Sequence, residues 1–125
     1  MKPRREADIL RAILAHCNRL PGVMLWRANR GAITATYKGT TRFVRFGGLP
    51  GMSDLIGWKT WTPRRDAVGH ILVLPPLAVF VAIEVKRPGM KPTPQQAAFL
   101  ELVRQAGGLA IVATSVEDVI AAGLR

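Results

Sequence analysis

The stretch from Leu77 to Ile83 reads LAVFVAI, apolar at every position, and stops at Glu84-Val85-Lys86. A strand with one wet face alternates apolar and polar residues. An unbroken apolar run of strand length belongs to a strand buried on both faces. LAIVA, from Leu109 to Ala113, is a second run of that kind. Two such strands need cover from above and below, and the rest of the chain has helical periodicity to supply it.

Residues 4–20 place Ile9, Leu10, Ile13, Leu14, Cys17 and Leu20 on one helical stripe at about 100° per residue. Glu6 falls within that stripe, whereas Asp8 falls on the opposite face with Arg11, Ala15 and Arg19. Asp8 is therefore expected to face water, and Glu6 the core or a cleft at its edge. Pro21-Gly22 ends the helix. Val23 to Asn29 and Asp54 to Trp61 read as strands, the second weakened by Gly57. Between them, Ile33, Thr34, Thr36, Tyr37, Phe43 and Val44 mark residues 30–45 as a hairpin, and Gly47 to Gly51 is a turn-rich loop. Thr62 to Gly69 reads as a polar loop and Ile71 to Leu74 as a further strand run. Thr93, Pro94 and Gln96 make a capping box that opens a second helix, with Phe99, Leu100, Leu102, Val103 and Ala106 on its apolar face. Gly107-Gly108 stops it, and Ser115 caps a last helix to about Gly123. The expected fold is α/β (α+β), a mixed central sheet flanked by helices, in one domain over residues 1–125.

Charge narrows the partners. The formal net charge is +10, from 18 Lys and Arg against 8 Asp and Glu. No acidic residue lies between Asp8 and Asp54, where Arg11, Arg19, Arg27, Arg30, Lys38, Arg42 and Arg45 all fall. Such a block points to a polyanion, most often nucleic acid; a merely solvated basic surface is the plainer reading. One cysteine, Cys17, excludes a disulfide framework and fits a reducing compartment. Pro75-Pro76 breaks the longest apolar run well short of the roughly 20 residues of a membrane span. Glu6, Asp8 and Arg11 occupy the place of a signal peptide's apolar stretch, so a cytoplasmic location is expected. Two histidines, His16 and His70, cannot build a His-rich metal site, and neither a Walker A loop nor a G-x-G-x-x-G fingerprint is present.

The acids left over stand where irregular chain meets buried strand. Glu84 and Lys86, two apart on a strand, project from one face. Burying them there costs desolvation unless they are paired with each other or bind something charged. Asp54 follows the Gly-rich loop and precedes Leu55-Ile56. If its strand neighbours that of Glu84, the two carboxylates converge on one hard cation of the magnesium type. Lys86 then offsets their charge and orients a water or a phosphate oxygen. Glu6 is a third carboxylate within reach, or else a partner for Arg27 or Arg30. Trp58 and Trp61 read as core before they read as base-stacking platforms.

Taken together, Glu6, Asn29-Arg30-Gly31, Gly51-Met52-Ser53-Asp54-Leu55-Ile56-Gly57, Ile83-Glu84-Val85-Lys86, Thr93 to Phe99 and Gly107-Gly108 with a closing strand resemble the VRR-NUC domain. These are the virus-type replication and repair nucleases of the PD-(D/E)XK superfamily. The resemblance runs from about Glu6 to Ala122. It implies a restriction-endonuclease-like core of α-β-β-β-α-β order and a metal-dependent phosphodiesterase. Asp54 and Glu84 match the metal ligands for Mg2+ or Mn2+, Val85 would lend its backbone carbonyl, and Lys86 matches the motif lysine. Glu6 matches the helix-one acid and Gln96 the motif glutamine, although the capping box alone explains Gln96. Ser53 stands where the superfamily name has proline, and Trp58 to Leu77 is longer than a minimal domain needs.

The implied reaction is hydrolysis of DNA phosphodiesters, structure-specific for a four-way junction or flap, in replication, recombination or repair. Arg27, Arg30, Lys38, Arg42, Arg45, Arg87 and Lys91 would hold the DNA backbone. A homodimer would present two sites to a junction, with Trp58, Trp61, Leu72, Leu74, Pro75 and Pro76 as candidate contact. The rival readings are a non-catalytic nucleic-acid-binding module that retains the fold, and a basic accessory protein indifferent to DNA.

Overall fold

The computed structural model describes residues 4–28, 31–46, 48–62, 68–69 and 76–125, with 31–33 and 44–46 as backbone. In chain order the elements are α1 (Glu6–Cys17), β1 (Val23–Arg27), β2 (Gly31–Tyr37), β3 (Thr40–Phe46), β4 (Leu55–Trp61), β5 (Leu77–Val85), α2 (Pro94–Gln105), β6 (Leu109–Ala113) and α3 (Val116–Ala121). The central sheet has the order β1-β4-β5-β6. Its first two pairings are antiparallel and β5 pairs β6 in parallel, so the sheet is mixed. Set the β2–β3 hairpin aside and the order is α-β-β-β-α-β.

Pleating sorts the strands into two faces. Leu25, Leu55, Val81, Ile83, Val85, Ile111 and Ala113 point to one, where Ile9, Ile13 and Cys17 of α1 and Val119 and Leu124 at the C-terminus close the main core. Ile9 and Ile13 are buried; each contributes about 1.5–3 kcal/mol relative to exposure. On the other face Ala82 packs beneath Leu100 and Val103 of α2, with Ile56, Phe99 and Ala110 at the rim.

Asn18 aligns α1 with the sheet. Its amide donates to Leu25 O at 3.1 Å and accepts from Leu25 N at 3.0 Å, which satisfies the free edge of β1. The Pro21-Gly22 turn then sends β1 back along α1. His16 Nε2 lies 2.9 Å from Leu124 O, and Lys59 Nζ donates to Gly123 O at 2.8 Å. These contacts gather the C-terminal ends of α1 and α3 at the Trp61 end of β4. The N-terminus of α1 therefore lies at the opposite end, where β1, β5 and β6 finish and β4 begins.

Five expectations change. β6, expected to be buried on both faces, is an edge strand whose Val112 is exposed and whose Leu109 and Ala110 are only half-buried. The strand expected over Val23 to Asn29 ends at Arg27. β5 is buried on both faces only from Val81; Leu77, Ala78 and Phe80 are exposed because the helices leave its first half uncovered. Trp58 and Trp61 are exposed at 39% and 41%, not core, and three positions apart on one strand they point to opposite faces, so they form no single contact patch. Gly57 does not weaken β4, because a Cβ there would run into Met24 O and Leu25 Cα of β1. Its bare backbone is what lets the two strands approach. Ile71 to Leu74, with Pro75 beside it, lies outside the described residues, as does most of the loop from Thr62 to Gly69. No helix among the described residues is long and apolar enough to cross a membrane.

Candidate active site

The last β4–β5 register pair at this end is Leu55 with Ile83. One step beyond it, Asp54 falls opposite Glu84, and facing residues of an antiparallel pair share a face. Two hydrogen bonds hold Asp54 in that place. Its backbone carbonyl accepts from Ala28 N at 2.9 Å, which extends the β1 ladder by one residue. Its side-chain Oδ2 accepts from Val85 N at 2.8 Å, which ties the carboxylate to β5.

Glu84 is buried, with 2% of its side chain exposed. An ionised carboxylate at that depth needs a counter-charge. Lys86 supplies one: its Nζ lies 3.7 Å from Glu84 Oε1 and its side chain is 14% exposed. That spacing is longer than a direct charge-assisted hydrogen bond of about 2.7–2.9 Å. The Lys86 backbone is fixed as well, its N–H donating to Ala113 O of β6 at 2.9 Å. Asp54, Glu84 and Lys86 thus line one face of the sheet at one end, on ladders whose register leaves them little freedom.

The α2 side of the site is set by Gly51, which is buried with φ +76°. A Cβ there would run into the backbone of Gln95, so only glycine lets the loop before Asp54 lie against the first turn of α2. The capping box forms as expected: Gln96 N donates to Thr93 Oγ1 at 3.2 Å, and Thr93 N donates to Gln96 Oε1 at 2.9 Å. Gln96 accordingly stands at the site end of α2 with its amide oxygen engaged in the cap.

Glu6 departs from expectation. It is exposed in the first turn of α1, at the same end of the sheet but in no ion pair among the described residues. α1 begins at Glu6, and its buried stripe starts only at Ile9. No group of three His, Cys, Asp or Glu that could hold a metal ion gathers among the described residues. Arg27 is exposed at this end but in register with Leu55, on the face opposite Asp54. Arg87 and Lys91 are exposed in the connection from β5 to α2. Lys38 and Arg42 are exposed on the hairpin; Arg45 lies in β3, its side chain outside the described residues, as is all of Arg30.

Register and packing reveal what spacing did not. Ser53 is 1% exposed, and its Oγ has no hydrogen-bond partner among the described residues. Trp26 and Trp58 meet edge-on, with ring centroids 5.7 Å apart and planes at 70°, on the same sheet face as Asp54 and Glu84. No sequence signal marks either feature.

The donor set suits a hard cation. Two carboxylates face each other at the end of one ladder, a main-chain carbonyl stands between Glu84 and Lys86, and among the described residues no thiolate or imidazole joins them. The half-buried Lys86 beside them offsets part of their negative charge. The VRR-NUC domain family model matches residues 4–117, nearly the whole chain and the span that holds all of these groups. No curated protein and no solved structure matches the chain.

Proposed function

Because the chain belongs to the VRR-NUC domain family, whose function is nuclease-type, we propose that it hydrolyses DNA phosphodiesters at Asp54, Glu84 and Lys86. The observation that carries this reading is the Asp54 carboxylate tied to Val85 N at 2.8 Å, one step beyond the Leu55–Ile83 pair and so beside Glu84, with Lys86 Nζ 3.7 Å from the glutamate. The two carboxylates and the Val85 carbonyl would hold Mg2+ or Mn2+. Such an ion supplies Lewis-acid polarisation of the phosphate and a water of lowered pKa. Lys86 stabilises the charge that develops on the phosphoryl oxygens and orients the attacking water. Gln96 offers its amide NH2 to a phosphate oxygen, and Glu6 belongs to the rim of the site. Arg87 and Lys91 hold the backbone that leads into the site, and Arg27 the chain that passes behind β1.

The substrate in this reading is branched DNA, a four-way junction or flap, cut by a homodimer. The apolar surface of Met24, Trp26, Trp58 and Phe80, 48%, 44%, 39% and 43% exposed on the site face, supports a contact between copies. Purified protein should nick junction DNA with Mg2+ or Mn2+ and stop on addition of EDTA. Glu84→Gln should bind DNA at least as well as the parent and cleave none. Failure of every branched, nicked and linear substrate with both metals refutes the enzyme reading. A mass near 13.6 kDa by light scattering, with and without junction DNA, refutes the dimer.

A further inference from the structure

We propose that the β2–β3 hairpin is a ribbon that lies in the major groove of a duplex arm of the substrate, and so makes the protein prefer duplex to single strands. The proposal rests on the nucleic-acid reading above and adds the element that selects the form of the DNA. The hairpin is paired along its whole length, from Gly31 with Phe46 to Tyr37 with Thr40, yet it joins no strand of the central sheet. An isolated two-stranded hairpin is marginal in water and buries little. Here Thr34, Thr36, Tyr37, Thr40, Thr41, Arg42 and Phe43 are all exposed, so packing against the core does not explain this outer half of the hairpin.

Its shape and charge match a groove. Seven residues per strand span about 23 Å at 3.3 Å each. A two-stranded ribbon fits the major groove, about 12 Å wide, and not the minor groove, about 6 Å wide. Ala35, Tyr37, Thr40 and Arg42 share one face, and with Lys38 they line a cavity of about 390 Å3. The turn is Lys38-Gly39 with φ +49° and +77°, both positive as a type I′ turn requires. A lysine in that conformation is uncommon. It places a cation at the tip, where its Nζ sits 5.5 Å from the centre of the Tyr37 ring. No acidic residue lies in the ribbon or its flanks, from residue 9 to 53. The root is near the carboxylates as well. The first strand starts just past Ala28, whose N–H bonds Asp54 O, and the second returns through the loop that ends at Asp54.

The test uses the full chain in EDTA, where binding is read without cleavage. Fluorescence anisotropy compares a blunt duplex, one of its single strands, and the duplex carrying glucosylated 5-hydroxymethylcytosine, which fills the major groove. The parent should prefer the plain duplex and lose that preference on glucosylation. Lys38→Ala with Arg42→Ala should weaken duplex binding about tenfold and reduce the log–log salt slope by about 1.8, at 0.9 per phosphate contact. Both sites are exposed, so thermal unfolding should stay unchanged. Equal binding of plain and glucosylated duplex by the parent, or an unchanged affinity and slope in the variant, overturns the proposal. So does a variant that changes from dimer to monomer by light scattering, which would assign the ribbon to a second copy. Ribbon-dependent binding without any cleavage in Mg2+ sinks the nuclease reading alone; cleavage with ribbon-independent binding sinks the ribbon alone.

Discussion

Replacing Asp54 separates what its carboxylate does for the fold from what it does for chemistry. Its Oδ2 accepts the Val85 N–H at 2.8 Å, at a point where β5 is fully buried. Asp54→Asn keeps an oxygen in that position and removes the charge. Asp54→Ala removes the acceptor and strands the Val85 N–H, which costs about 1–3 kcal/mol when a buried donor goes unsatisfied. The entropy of unfolding for 125 residues, at about 2.1 cal/mol/K each, is near 0.26 kcal/mol/K, so each kcal/mol moves Tm by about 4 °C. Asp54→Ala should therefore melt about 4–11 °C below Asp54→Asn, while both lose cleavage of junction DNA in Mg2+. Differential scanning calorimetry and a nicking assay on the same preparations decide it. Equal melting temperatures would refute the cross-strand role of the carboxylate. Cleavage by Asp54→Asn at the parent rate would refute its place in the metal site.

Four further outcomes follow from packing and titration. Ser53→Ala removes a buried hydroxyl that has no hydrogen-bond partner among the described residues, so it should be neutral or stabilise by up to about 1 kcal/mol in urea unfolding; a clear loss would show that the hydroxyl is engaged. Gly51→Ala sets a Cβ against the Gln95 backbone at φ +76° and should destabilise by about 2 kcal/mol or more, read from the same urea midpoint; a neutral result would mean that the loop does not rest on α2. Burial pushes the Cys17 thiol up to about 11 from 9.0, so the native state keeps its proton where the unfolded chain loses it. Stability should hold below about pH 9 and fall from there to pH 11, and Cys17→Ala should flatten that fall. Hydrogen bonds, first from the Thr114 backbone N–H at 2.8 Å, hold the Asp118 carboxyl below 3.8. That contribution is present above pH 3.8 and fades as pH drops through the lowered value, so Asp118→Asn should show a shallower acid limb in a Tm–pH series.

Helices were legible wherever an apolar stripe met a cap. The Thr93–Gln96 capping box starts α2 and Ser115 starts α3, because their partners lie within a few residues and need no tertiary contact. The hairpin over residues 30–45 was legible from its β-formers, and the structure places its two-residue turn at Lys38-Gly39. The relation of Asp54 to Glu84 was only conditional in the sequence, since it required their strands to be neighbours; the β4–β5 register settles which residues face each other. Glu6 shows the limit of periodicity: a stripe gives the direction of a side chain, not whether anything lies in that direction. The tryptophans show it too, because apolar character alone does not say where cover ends.

What the sequence by itself determined was local or compositional: the apolar strand runs, the caps, the basic block and the carboxylates at strand ends. Each follows from a residue's own chemistry and its neighbours within a turn. What only the tertiary structure decided was which of those acids meet, how deep they sit and what covers each face. Glu84 is buried at 2% and Asp54 is tied to Val85 because β4 and β5 pair in one register, and a slip of one residue would turn either side chain to the opposite face of the sheet. That register is fixed by the packing of both faces together, with Leu55 and Ile83 against α1 and Ala82 beneath α2, and no single segment contains it.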